Sequence, residues 1–475
     1  MSQDFIYIIL YILFIYLIGF AFLRIFFRKT LIDNNFLINL GLFWAVGNFF
    51  LVTFLFILMF FDKLSLFNQK NFHIGLITLI VISLTAVLFS FKDLRKPNIG
   101  LLVVFVALLI FFMPLFKDSL FSFAIDWDAV AVVFLKAKSF FLSPGIWNNF
   151  FYKDLSRFAS TNKAYPVGFS LLIAGYYRLI NFVNDQNIQL YFSMFYFNLV
   201  LVALGFFVKL LKRIPLIISF FITLSFFIMP IFVNYSHNGY VDLPISFIMT
   251  CALVLFSFLM EEKTWSKKFS YFLLIMMISA LAAAFKNEGY IFFAVITFVS
   301  FLVCTFDLFK NRGFKEIRLV NIFSFIIVTL LSLTAIFIWQ YYMKKSSTDF
   351  YLDRTGLTKE SFTRIKPIFF FYIDEALNTS RYGILLISFI LLYVFEVTVL
   401  IFNKKINKLL PSLIIFIQLL AYTYVYLVTT VPFMTQLETS FPRLLLQILP
   451  SFFILIIYQA SNFFSFYDQR PQDTN

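Results

Sequence analysis

Apolar runs recur along this chain at the length a helix needs to cross a lipid bilayer. The first, "FIYIILYILFIYLIGFAFL", covers 5–23, and others follow near 36–61, 74–91, 99–116, 188–208, 215–233, 243–260, 269–285, 290–306, 320–341, 384–402, 409–430 and 443–460. A hydrocarbon layer about 30 Å thick takes roughly 17 to 25 apolar residues in a helix. Inside that layer each peptide group must be satisfied within its own helix or a closed barrel. The expected fold class is therefore an all-α polytopic membrane protein with about 13 transmembrane helices. Composition excludes a water-soluble domain, since 61% of residues are hydrophobic, 13% are charged and 74 of 475 are Phe.

A net charge of +14 could point to nucleic acid, but the basic residues sit in short clusters between apolar runs. These are Arg24, Arg28 and Lys29; Lys92, Arg95 and Lys96; Lys209, Lys212 and Arg213; Lys263, Lys267 and Lys268; Lys310, Arg312, Lys315 and Arg318; and Lys404, Lys405 and Lys408. Positive charge between spans marks the cytoplasmic side. All six clusters reach it together only if the N-terminus is outside and the segment "YPVGFSLLIAGYYRLINF", 165–182, does not cross. That segment is then an interfacial or re-entrant helix opened by Pro166, within one large external loop, 117–187, holding two interfacial helices. The first run lacks a basic leader and a small-residue cleavage site, so it reads as a retained helix. Cys251 and Cys304 fall inside apolar runs and read as inert core residues.

The same orientation gathers the polar segments outside: "VNYSHNGYVDLP" at 233–244, "FKNEGY" at 285–290, the long stretch 341–383 and "TQLETSFPRL" at 435–444. A protein with short cytoplasmic loops and converging external ones is expected to work outside, without direct access to ATP or nucleotide-sugars.

Charge near a span calls for a cavity or a partner, which singles out "FAIDWDAVAVVFLKAKSFF" at 123–141. Asp128 suits the N-cap of the helix that follows, with Asp126 in the preceding turn. Residues two apart on a helix point in different directions, so both acids acting on one bond is not expected there. An extended Asp-Trp-Asp turn could instead hold a divalent cation, Mg²⁺ or Mn²⁺. Asp242 also suits an N-cap. Lys286 and Glu288 lie in a turn closed by Gly289 or face a cavity, and Arg443 after Pro442 opens the last span, where it can meet lipid head groups or a substrate phosphate. For His237 a structural hydrogen bond is the expected role.

Four ordered patterns over roughly 100–310 carry a resemblance: "DWDAVAVVFLKAKSFFLSPGIW", "NKAYPVGFSLLIAGYYRL", "YVDLPISFIMTCALVLF" and "AAAFKNEGYIFFAVI". Their order and sidedness resemble the GT-C class of membrane glycosyltransferases, which includes protein O-mannosyltransferases and the lipid A aminoarabinose transferase. The resemblance implies a GT-C-like bundle, with 1–98 as extra N-terminal helices, 99–341 as catalytic core and 342–475 as an external loop with C-terminal helices. It implies transfer of a sugar from a polyprenyl-phosphate donor to a glycan, lipid or protein acceptor, by an inverting mechanism. Asp128 matches the catalytic carboxylate, before a turn at Gly145 and Trp147, and Asp126 is the runner-up. Lys163 matches the residue that binds the lipid-linked phosphate, Lys286 the lysine at the top of a short helix, and Arg443 the arginine opening a late span. Tyr165, Asp242 and Glu288 are the further substrate-binding candidates. The expected location is the bacterial plasma membrane with an extracytoplasmic active site, membrane lipids around it and no nucleic-acid partner. A divalent cation is the one cofactor left open.

Four spans before the Asp loop, where the family commonly has one, set this chain apart. A lipid-linked glycan polymerase or ligase, expected to use paired external arginines, remains an alternative. So do a transporter or flippase, expected to carry broken helices in matching halves, and a scaffold, which would tolerate loss of Asp128.

Overall fold

The computed structural model describes residues 3–28, 35–61, 69–90, 98–123, 126–142, 165–310, 319–345, 357–402, 406–429 and 432–467. Among them no strand occurs, and ten helices are long and apolar enough to cross a membrane. The protein is an α-helical, multi-pass membrane protein. In chain order the helices are α1 Gln3–Phe26, α2 Phe36–Phe60, α3 Gln69–Ser90, α4 Ile99–Phe121, α5 Leu135–Leu142, α6 Gly168–Ile180, α7 Gln189–Leu210, α8 Leu216–Phe227, α9 Pro230–Tyr235, α10 Asp242–Glu261, α11 Trp265–Phe285, α12 Glu288–Lys310, α13 Leu319–Lys345, α14 Lys359–Thr363, α15 Ile365–Ala376, α16 Thr379–Tyr382, α17 Leu385–Phe402, α18 Leu410–Val428 and α19 Phe433–Tyr467.

Ten of the thirteen apolar runs coincide with these long helices. The runs near 74–91, 215–233 and 384–402 meet shorter apolar helices instead: Phe72–Thr85, Leu216–Phe227 and Leu386–Phe402. The middle one has a local cause. Pro230 lacks the N–H that would continue α8, and it sits at the start of α9, where that N–H is not needed.

Helix α10 is the axis of the bundle. It is apolar nearly all round, and 94% of its best 18-residue window is buried, as expected of a helix enclosed by others. It packs on α7, α11 and α19, while α2 packs on α1 and α7. Helices α4, α12 and α13 keep most of their apolar surface exposed. In hydrocarbon that exposure is the stable arrangement.

Helix α10 itself carries charge at its two ends alone. At its C-terminal end Glu261 pairs with Lys408 and accepts the Tyr458 hydroxyl at 2.9 Å. Beside it Lys268 pairs with Asp307, and the Lys209 ammonium lies 3.8 Å from the centre of the Phe258 ring. At the N-terminal end stand Asp242, Lys286 and Glu288. The 20 residues of α10 separate the two groups by about 30 Å, the thickness of the hydrocarbon layer.

Helix α6 has 13 residues, about 20 Å of rise, and does not span that distance. It starts against the end of α11, where a Cβ on Gly168 would stand 2.5 Å from the Ala284 carbonyl oxygen. Only glycine permits that approach. The chain then enters α7 near the same end, since Ser193 bonds to Ser119 and to the Ser236 carbonyl. The 126–142 segment is fastened to α6 and its flanks by Lys136 to the Tyr165 carbonyl at 3.0 Å, Lys138 to Asp185 at 2.5 Å and Arg178 to the Phe141 carbonyl.

The two charged ends predict which positions share a membrane face. Single cysteines at Lys212 and Asn238 should react with an impermeant maleimide from opposite sides, and labelling of both from one side would overturn the arrangement.

Candidate functional site

The chain reaches Asp128 already helical, with φ −64° and ψ −34°, and its carboxylate makes no capping bond. The segment continues as a π-helical turn over Ala129–Phe134 before α5. The N-cap reading therefore does not hold for Asp128. Its Oδ2 is taken by Nη1 of Arg443, a residue 315 positions away. Arg443 does not open its helix either. Helix α19 begins ten residues earlier at Phe433 and runs through Pro442, so Arg443 sits well inside it. Its guanidinium carbon lies 4.8 Å from the centre of the Tyr240 ring, within the range of cation–π attraction.

Four residues on from Arg443, on the same face of α19, Gln447 donates to Asp242 Oδ1 at 2.6 Å and accepts the Tyr422 hydroxyl at 2.7 Å. Lys286 donates to that same Asp242 oxygen at 2.7 Å and lies 3.6 Å from Glu288. Asp242 opens α10 without a side-chain capping bond, so its cap reading fails as Asp128's does. Gly289 lets the 286–289 turn close, because a Cβ there would stand 2.1 Å from the Ala282 carbonyl oxygen. Burial lowers the affinity of Lys286 for its proton, but Asp242 and Glu288 outweigh it and hold that affinity above the usual lysine value. Lys286 thus stays protonated at neutral pH.

Asp128, Tyr165, Tyr240, Asp242, Lys286 and Arg443 line one cavity together with Val132, Phe169, Ser170 and Phe285. The space open to water-sized occupants is about 40 Å³, room for on the order of three waters. Burial pushes the Tyr240 phenol up to about 12, with Arg443 opposing and Asp128 and Asp126 assisting, so its hydroxyl remains a donor.

Five of the sequence candidates, Asp128, Tyr165, Asp242, Lys286 and Arg443, thus meet in one place, and Glu288 stands behind Lys286. Asp126 lies at the edge, its carbonyl accepting the Val130 N–H at 3.0 Å. Lys163, Gly145 and Trp147 lie outside the described residues. Sequence reading missed Tyr240, Gln447 and Tyr422, although a glutamine one turn from an arginine in an apolar helix was a usable signal. It also missed Lys136, buried behind the cavity and lowered by that burial to about 7. For His237 the structure gives a hydrogen bond between Nδ1 and the Ser236 hydroxyl at 3.0 Å.

A divalent cation does not suit these side chains. Asp128 and Asp242 each face a cationic partner, and among the described residues no three of His, Cys, Asp and Glu come together as a metal site. No family model, curated protein or solved structure matches this chain.

The buried pair predicts a non-additive stability pattern. Lys286→Met leaves Asp242 charged and short of its cation, and loss of one partner from such a pair costs about 3 to 5 kcal/mol. Its unfolding midpoint in detergent should fall clearly, and Asp242→Leu in the same chain should restore part of it. Equal midpoints for wild type and Lys286→Met would show that the pair is not buried as described.

Proposed function

We propose that this protein is a GT-C-type membrane glycosyltransferase, working at the extracytoplasmic face of a bacterial plasma membrane. It transfers a sugar from a polyprenyl-phosphate donor to a hydroxyl of a glycan, lipid or protein acceptor. The about 13 apolar runs, with the first three as additions to the family layout, belong to this reading. The observation that carries it is the Asp128–Arg443 ion pair at the mouth of a cavity that Lys286 also lines. A carboxylate base and two cations stand where a hydroxyl and a phosphate ester could meet.

The pairing supplies an order of events. A donor phosphate competes with Asp128 for Arg443, and guanidinium binds phosphate in the same bidentate way as carboxylate. Asp128 is then released beside the anomeric carbon. It accepts the proton of the acceptor hydroxyl as that oxygen attacks, a role typically worth about 10² to 10⁴-fold. The bond between the anomeric carbon and the phosphate oxygen breaks on the opposite face, with inversion, and the electron pair leaves on the polyprenyl phosphate. Arg443 and Lys286 stabilise the charge that develops there. Asp242, Glu288 and Gln447 fix Lys286 in place, and Tyr165 closes the cavity wall. Asp128, Asp242 and Lys286 stand at helix ends, which supports this reading over a transporter, whose site would lie near the bilayer midplane.

The test separates base from binding. Asp128→Asn keeps the side-chain size and should lower transfer from a defined polyprenyl-phosphate sugar by about 10² or more. Donor binding should be at least as tight as in wild type, because a competitor for Arg443 has lost its charge. Asp126→Asn should have the smaller effect. Wild-type transfer by Asp128→Asn would remove the catalytic assignment.

A further inference from the structure

A further cation, Arg381, stands on a helix beside Tyr235, where the reaction just proposed has no use for it. Helix α16, which carries Arg381, packs against α9, which ends at Tyr235. Arg381 is aimed from beneath. Its Nη1 lies 2.6 Å from Oε1 of Glu375, and the same oxygen accepts the hydroxyl of Tyr382 at 2.9 Å. Glu375 and Tyr382 are buried, whereas 44% of the Arg381 side chain is exposed. One nitrogen of the guanidinium is therefore held, on a side chain that is nearly half open.

The tyrosines join this cation to the cavity. The Tyr235 and Tyr240 rings lie 5.6 Å apart at 38°, both partly exposed, and Arg443 lies over Tyr240. A partly exposed tyrosine offers an apolar face with a polar rim, which suits the C–H face and hydroxyls of a sugar ring. A guanidinium fork suits a carboxylate at the end of such a ring.

We infer that Arg381, Tyr235 and Tyr240 form a subsite for an acidic sugar unit of the acceptor. The word acceptor rests on the transferase reading, whereas the binding of an acidic sugar does not. Tyr235 and Tyr240 hold the ring, Arg381 takes its carboxylate, and a hydroxyl at the other end is presented toward Asp128. The subsite selects acidic over neutral glycans.

The full chain in lipid nanodiscs would be titrated with a glucuronate-containing disaccharide and with its carboxyl-reduced, neutral counterpart. The acidic disaccharide should bind at least tenfold more tightly. Arg381→Gln should abolish that preference, Arg381→Lys should retain part of it, and Tyr235→Ala should weaken both sugars while Tyr235→Phe preserves both. Equal binding of the two disaccharides to wild type, or a preference that survives Arg381→Gln, overturns the subsite. A saturating polyprenyl-phosphate sugar should leave disaccharide binding intact, and competition by it would overturn the assignment to the acceptor. Failure of the transferase reading would instead appear as undiminished transfer by Asp128→Asn, with the wild-type preference for the acidic disaccharide intact.

Discussion

The arrangement depends on a single oxygen, Oδ1 of Asp242, at the buried start of α10. It accepts Lys286 from the turn after α11 and Gln447 from α19. A carboxylate so placed is stable only with its partners, and a lysine or glutamine so placed is stable only with an acceptor. The three segments are thereby held at one depth. Gln447 in turn fixes the rotation of α19, which directs Arg443, four residues earlier, toward Asp128. The geometry of the cavity is inherited from a bond at its floor.

This explains why catalytic candidates and structural ones cannot be sorted by residue type here. Asp242 and Lys286 serve first to align helices. Asp128 and Arg443, joined to each other at the more open side, can change partners with less disruption, because the Asp128 carboxylate, 43% exposed, regains water on separating. The cluster is thus graded from a fixed, buried pair to an exchangeable, more open one.

The membrane architecture was legible because length and hydropathy act locally: each of the ten long helices announces itself as one apolar run. The broken 215–233 run was less so, since its overall hydropathy conceals the interruption before Pro230. The candidate residues were found by their rarity in an apolar chain, but their roles were misread toward local partners. Asp128 and Asp242 looked like caps because capping needs only neighbours in sequence. Their real partners, Arg443 at a separation of 315 and Lys286 at 44, follow from packing alone. Pro442 suggested a helix start at Arg443, yet α19 passes through it, as membrane helices can when surrounding groups satisfy the freed carbonyl.

The π-helical turn at Ala129–Phe134 leaves the gene for this protein a freedom that an ordinary helix lacks. Each residue of an α-helix advances the side chains by about 100°, so removing one codon from α5 would swing everything before it by roughly that angle. The wide turn, bonded from i to i+5, takes about one residue more for the same rotation. Losing one codon there returns the segment to ordinary helix with Asp128 still directed toward Arg443.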